Sequence, residues 1–175
     1  MGLLDNPMVL IERMNGLMRA IRQEADDLIA TDQLDTGLRT FLDEQELALH
    51  NGGIYFAKMF ELNGARTPHD SLTGHEALVN SFHPDEFLGT EQPDWATLNL
   101  AHSVLLAREV LHGAAALTPM PVDVHVGIDL GGFGSYPSST FRFYGRRSSD
   151  PWISDDLDDF HTQAVSILRL VGTDT

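Results

Sequence analysis

Hydrophobic positions along this chain change period twice, and the changes divide it. Leu10, Met14, Leu17, Ile21, Ala25 and Leu28 recur at three- and four-residue steps after Asn6-Pro7, a capping residue followed by proline, so the spacing predicts a long amphipathic helix. Leu34, Leu38, Phe41, Leu42 and Leu49 predict a second helix from about Asp35 to His50, broken at Asn51-Gly52-Gly53. Ile54, Phe56, Ala57 and Phe60 fit a short helix better than a strand, with Asn63-Gly64 as its stop. Thr67-Pro68 and the capping-box pattern from Thr73 to Glu76 open another short helix running to Phe82. From Pro93-Asp94 to His112-Gly113, apolar residues cover most of a helical circumference, the mark of a helix packed on more than one side.

At Thr118-Pro119-Met120-Pro121 helical spacing ends and the period becomes two. Val122, Val124, Val126, Ile128 and Leu130 alternate with Asp123, His125, Gly127 and Asp129, which predicts a strand with one buried and one polar face. A glycine-rich tip from Gly131 links it to a second, antiparallel strand, Thr140 to Tyr144. Ser154 then caps a final helix with the stripe Leu157, Phe160, Ala164, Leu168 and Val171. The expected fold class is α+β: one mostly helical domain over 1–175, helical through 117, with a hairpin over 121–147 and a C-terminal helix over 154–171. Two strands alone make a marginal sheet, so the hairpin must lie on helices or gain a third strand, for which Ile54 to Phe60 is the candidate.

Composition narrows the chemistry. The chain has no cysteine, which removes disulfides, thiolate metal sites and a cysteine nucleophile and fits a reducing compartment. No apolar run reaches the length of a membrane helix, and the start lacks a signal peptide, so a cytoplasmic protein is expected. Its 26 acids against 11 bases give a formal net charge of -15, a field that repels nucleic acid and anionic lipid. Charge alone can mean only solubility, but here it clusters: Glu24, Asp26, Asp27, Asp32, Asp35, Asp43, Glu44 and Glu46 share their span with a single base, Arg39. The acids near Asp155 are accounted for by a helix start.

Four stretches invite a chemical reading. Gly127-Ile128-Asp129-Leu130-Gly131-Gly132 resembles the first phosphate loop of sugar kinases and other actin-like ATPases, yet Phe133 stands where that family has threonine, no lysine accompanies it, and a hairpin loop explains it more simply. His69, His75 and His83, interspersed with Asp70, Glu76 and Asp85, offer ligands for a metal, but no two of the histidines stand a helical turn apart, and an exposed polar loop explains them as well. His125, facing Arg142 across the hairpin, is the first residue to test for acid–base chemistry, the alternative being an exposed cross-strand pair. Finally, Phe133 and Tyr136 on the tip, with Arg142 and Arg146 along the return strand, are the residue types that anchor protein interfaces.

A compact, acidic, cysteine-free chain of this kind resembles the immunity proteins that bacteria keep against polymorphic toxins. Two segments carry the likeness: Leu47 to Gly53 continuing through Phe60-Glu61-Leu62, and Thr140-Phe141-Arg142-Phe143 leading through Arg147 and Trp152 to Asp156-Leu157. The resemblance implies a basic protein partner, a secreted toxin domain, inhibited by occlusion. Asp26, Asp27, Asp32, Asp35, Asp43 and Glu44 would steer that partner, while Phe133, Tyr136, Arg142 and Arg146 would touch it; no cofactor is implied. The alternatives are a small metal-dependent hydrolase using His69, His75 and His83, and a helical scaffold dimerising through the Leu10 to Leu28 stripe.

Overall fold

The computed structural model describes residues 8–132 and 134–172. In chain order its elements are β1 (Met8–Met14), α1 (Gly16–Ala30), α2 (Thr36–Glu44), β2 (Leu47–His50), β3 (Gly53–Phe56), α3 (Ala57–Asn63), α4 (Leu72–Val79), α5 (Asp85–Leu88), α6 (Trp95–Leu117), β4 (Val122–Asp129), β5 (Ser138–Gly145) and β6 (Gln163–Gly172). Four strands form an antiparallel sheet in the order β1-β6-β4-β5, and β2 pairs with β3 in a separate hairpin. The class is α+β, an antiparallel sheet packed on helices.

The core lies between the inner face of the sheet and two helices. Val122, Val124, Val126 and Ile128 of β4, Phe141 and Phe143 of β5, and Ala164 and Leu168 of β6 meet Leu100, Val104, Ala107 and Leu111 of α6 and the buried stripe Met18, Ile21, Ala25 and Ile29 of α1. The expected all-round burial of α6 and the β4–β5 hairpin both appear, with His125 opposite Arg142 in the register.

Four expected helices are strands over part of their length, among them the short helix expected from Ile54, whose first residues lie in β3. The first helix begins at Gly16, because Asn15 rather than Asn6 is the cap: its side chain accepts from the Met18 amide. Met8–Met14 pairs instead with β6, where Leu10, Glu12 and Met14 face inward by strand alternation. The helix over 35–50 stops at Glu44, since Asn51 (φ 49°) and Gly52 (φ 80°) form the two-residue left-handed turn of a β2–β3 hairpin. The C-terminal helix over 154–171 is β6: Ala164 to Leu168 is buried on every residue, as in a strand covered on both faces, and Val165, Ile167 and Val171 suit a pleated surface. The third strand sought at Ile54 to Phe60 is therefore found elsewhere, in β6 and β1; Ile54 to Phe56 belongs to the separate hairpin.

Both faces of the sheet are covered. The chain from Ser148 to Phe160 folds across the outer face, where Leu157, Ile153 and Phe160 pack on Val165 and Ile167. At the β5 edge, α4 joins the hairpin to the sheet through two side chains one turn apart. Glu76, fully buried, accepts from the amides of Ile54 (2.8 Å) and Gly145 (3.1 Å) and from the Arg147 guanidinium (2.5 and 3.2 Å). Asn80 accepts from Phe56 N and donates to the carbonyls of Ile54 and Phe143. The strand amides and carbonyls that face this junction are satisfied by side chains instead of a neighbouring strand.

Candidate functional site

The β4–β5 tip is built by its own residues. Gly131, Gly132 and Gly134 take positive φ, conformations that side chains resist, and Asp129 Oδ1 accepts from Gly131 N (2.9 Å) and Ser135 Oγ (3.3 Å). This staple presents Tyr136, 88% exposed, beside half-exposed Leu130. Phe133, the other aromatic expected on the tip, lies outside the described residues.

The base of the tip is tied to the segment leading into α6. Ser139 N donates to Asp85 Oδ1 (2.6 Å), Asp85 N donates to Ser139 Oγ (2.9 Å), and Asn99 Nδ2 donates to Gly89 O (3.1 Å). Glu86, Glu91 and Asp94 on that segment are exposed and make no ion pair among the described residues. In the sequence these acids are spread through a turn-rich connection, and the Ser139–Asp85 contact ties that connection to the base of the tip.

The acidic span from Glu24 to Glu46 is less bare than its sequence suggests. Arg22 pairs with Asp26, Arg108 with Asp32 (3.8 Å) and Lys58 with Glu44 (2.9 Å), all cations from outside the span. Asp35 is committed to capping α2, accepting from Gly37 N (2.7 Å) and Leu38 N (3.2 Å). Of the six acids singled out, Asp27 and Asp43 are exposed without a cation partner among the described residues.

The three histidines proposed as metal ligands each have separate partners. His69 packs its ring against Trp152, with centroids 5.9 Å apart. His75 donates from Nε2 to Gly64 O and accepts from the Tyr55 hydroxyl, both at 2.9 Å. His83 donates to Ser139 O at 2.7 Å. Among the described residues no group of three or more His, Cys, Asp or Glu side chains is arranged to hold a metal ion.

The outer face of the sheet carries a polar array that strand alternation made legible but whose burial it did not. Arg13, Ile167, His125 and Arg142 stand in one row across β1, β6, β4 and β5. In the next row Asp123 takes a bidentate pair from Arg169 (2.5 and 2.7 Å) and stands opposite Tyr144. His125 is 5% exposed, not the open cross-strand residue expected, and neither ring nitrogen has a hydrogen-bond partner in the protein. Burial, and then the adjacent Arg142 charge, push its pKa down to about 4. Arg142 itself is half-buried: it donates from Nε to Ser81 Oγ (3.0 Å) and lies 6.0 Å from the Trp152 ring centre. Arg146, by contrast, is exposed, with its backbone amide on Pro121 O.

Among the described residues no helix is long and apolar enough to cross a membrane. The molecule is thus an α+β protein whose most exposed large hydrophobic side chain among the described residues, Tyr136, stands on a stapled loop and whose outer sheet face hides a polar array. The chain belongs to the Uncharacterized protein PM0498 family, whose model matches residues 13–170. No curated protein and no solved structure matches it.

Proposed function

We infer that this protein is a cytoplasmic binding protein that captures a basic protein through the β4–β5 tip, and that its partner is a bacterial toxin domain which it inhibits by occlusion, as polymorphic-toxin immunity proteins do. The observation that carries the reading is Tyr136, 88% exposed on a loop held in shape by Asp129, whose base is tied through Ser139 and Asp85 to a segment carrying the exposed acids Glu86, Glu91 and Asp94. An aromatic side chain on a preformed loop loses little conformational freedom on burial, which makes it an effective interface anchor. Carboxylates on the segment tied to the tip raise the rate of encounter with a basic surface and reject acidic ones.

The test is a pull-down from the native host at low and high salt, with the wild-type chain, Tyr136→Ala, and a triple variant Glu86→Lys, Glu91→Lys, Asp94→Lys. A basic protein recovered at low salt by the wild type and lost by both variants is the expected result. Recovery of no basic protein, or equal recovery by the variants, overturns the reading. Neutralising Asp26, Asp27, Asp43 and Glu44 should leave the complex intact, because two of those four are already paired within the chain.

A further inference from the structure

A groove of about 550 Å³ opens beside the β2–β3 turn, lined in part by His50, Tyr55, Phe60, Glu61, Leu72 and His75. Its size lies within the roughly 300–1,000 Å³ of small-molecule sites. Tyr55 is buried, whereas Phe60, Leu72 and His75 are half-buried and His50 and Glu61 are exposed, so all but Tyr55 keep surface that a ligand can reach. The rings form one contiguous wall. Phe60 lies 4.4 Å from His50 and 4.6 Å from Tyr55 between centroids, and Tyr55 lies 5.6 Å from His75.

The hydrogen-bonding atoms at the centre of this wall are already engaged. The Tyr55 hydroxyl donates to His75 Nδ1, and His75 Nε2 donates to Gly64 O, both at 2.9 Å. Burial, and then the Glu76 charge, push the Tyr55 pKa up to about 12, so the phenol keeps its proton and stays the donor to His75. What Phe60 and His75 offer a ligand is therefore ring surface and no N–H or O–H group. Glu61 is the carboxylate among the lining residues, and it makes no ion pair among the described residues. The neighbouring Arg147, which donates to Gly52 O, is matched by Glu76. An aromatic wall with one unmatched carboxylate, in a chain of formal net charge -15, rejects anions and suits a cation.

We propose that this groove binds a small free organic cation of the methylated-ammonium class, held by the rings of His50, Phe60 and His75 and by the Glu61 carboxylate. A cation is attracted to the negative face of an aromatic ring, more strongly where water is partly excluded. The class follows from the donor count. A primary ammonium brings three N–H donors and a guanidinium five, each of which needs an acceptor that an aromatic wall lacks. A fully methylated nitrogen brings none, and its methyl groups find apolar surface on Phe60 and Leu72. The site lies between the β2–β3 hairpin and α3, and its occupation does not depend on the protein-capture reading.

The experiment is calorimetric titration of the full chain at fixed ionic strength with choline, tetramethylammonium, the uncharged carbon isostere of choline, and phosphatidylcholine vesicles, repeated on Phe60→Leu and Glu61→Gln. Choline or tetramethylammonium should saturate with a Kd below about 5 mM, and the isostere should bind about tenfold more weakly or not at all. Each variant should weaken the cation about fivefold or more while retaining the unligated melting temperature. Failure of both cations to saturate, an isostere that binds as tightly, unchanged affinity in both variants, or binding to the vesicles without binding to free choline would each overturn the proposal. Should a variant melt early, amide NMR shifts of the wild-type chain during choline titration provide the second readout. Shifts centred on His50, Phe60, Glu61 and His75 support the site, and shifts elsewhere overturn it.

Discussion

His125 and Arg142 face each other across β4 and β5 beneath the covering segment, and neither ring nitrogen of the histidine has a hydrogen-bond partner in the protein to hold a proton there. Its pKa is about 4 in the folded protein against an ordinary 6.5. In the unfolded chain it takes up a proton as pH falls through 6.5, whereas the folded protein resists until near 4. The stability contribution is thus complete above about pH 6.5 and lost on acidification towards 4, a fall of roughly 3 kcal/mol from this one residue. His125→Leu should flatten that part of the stability curve and leave stability at neutral pH equal or higher, since two unpaired nitrogens are removed. Urea denaturation at a series of pH values checks both parts; an unchanged acid slope would show that other groups govern it.

Asn15 closes the junction between β1 and α1 on both sides. Its Oδ1 accepts from Met18 N (3.0 Å) and Val165 N (3.1 Å), and its Nδ2 donates to Phe160 O (3.1 Å) and Gln163 O (2.8 Å), all at 1% exposure. Asn15→Ala removes a helix cap and strands several buried backbone groups, for a loss of about 3 kcal/mol or more. Asn15→Ser retains the cap alone and should fall between the two by chemical denaturation.

Arg147 is the counter-ion of a carboxylate that water does not reach. Replacing it with methionine leaves Glu76 charged and buried, at a cost of about 3–5 kcal/mol, and adding Glu76→Gln should recover part of that loss. The double-mutant cycle gives the coupling directly. If the single and double variants lose equal stability, the pair is not the tie between α4 and the sheet edge.

Asp129→Ala tests the tip as a preformed element. Its two loop bonds are near the surface, so the folding free energy should change by about 1 kcal/mol or less, while affinity for the captured partner falls about two- to tenfold as the loop loses its shape. Parallel melting and binding measurements separate these effects, and a loss of both in proportion would mean the residue serves stability only.

The parts of this fold legible in sequence are those with a single consistent period: α6, β4 and β5. The strands that were missed carry helix-like spacing by coincidence. In β6, burial on both faces removes the alternation that marks a strand, so Ala164, Leu168 and Val171 read as a stripe. In β1, Leu10 and Met14 are four apart and both inward, which a strand and a helix allow equally. Asn51-Gly52 fits a helix stop and a hairpin turn with the same residues, and the structure uses it as the turn. At the candidate site, the pairing of His125 with Arg142 followed from alternation, but their burial depends on the Ser148 to Phe160 cover, which has no regular pattern. The tie between the β5 end of the tip and the acidic segment after Asp85 is hidden for a related reason: the Ser139–Asp85 contact joins residues 54 positions apart.

The order β1-β6-β4-β5 places the strand of highest residue number between two others, so β1 has its described sheet partner only in residues 163–172. During synthesis β1 therefore leaves the ribosome well before the strand that receives it. Its pairing carries the largest loop-closure penalty in the sheet, which makes the docking of β6 the expected late step in folding and the interval before it the time of greatest exposure to misassembly.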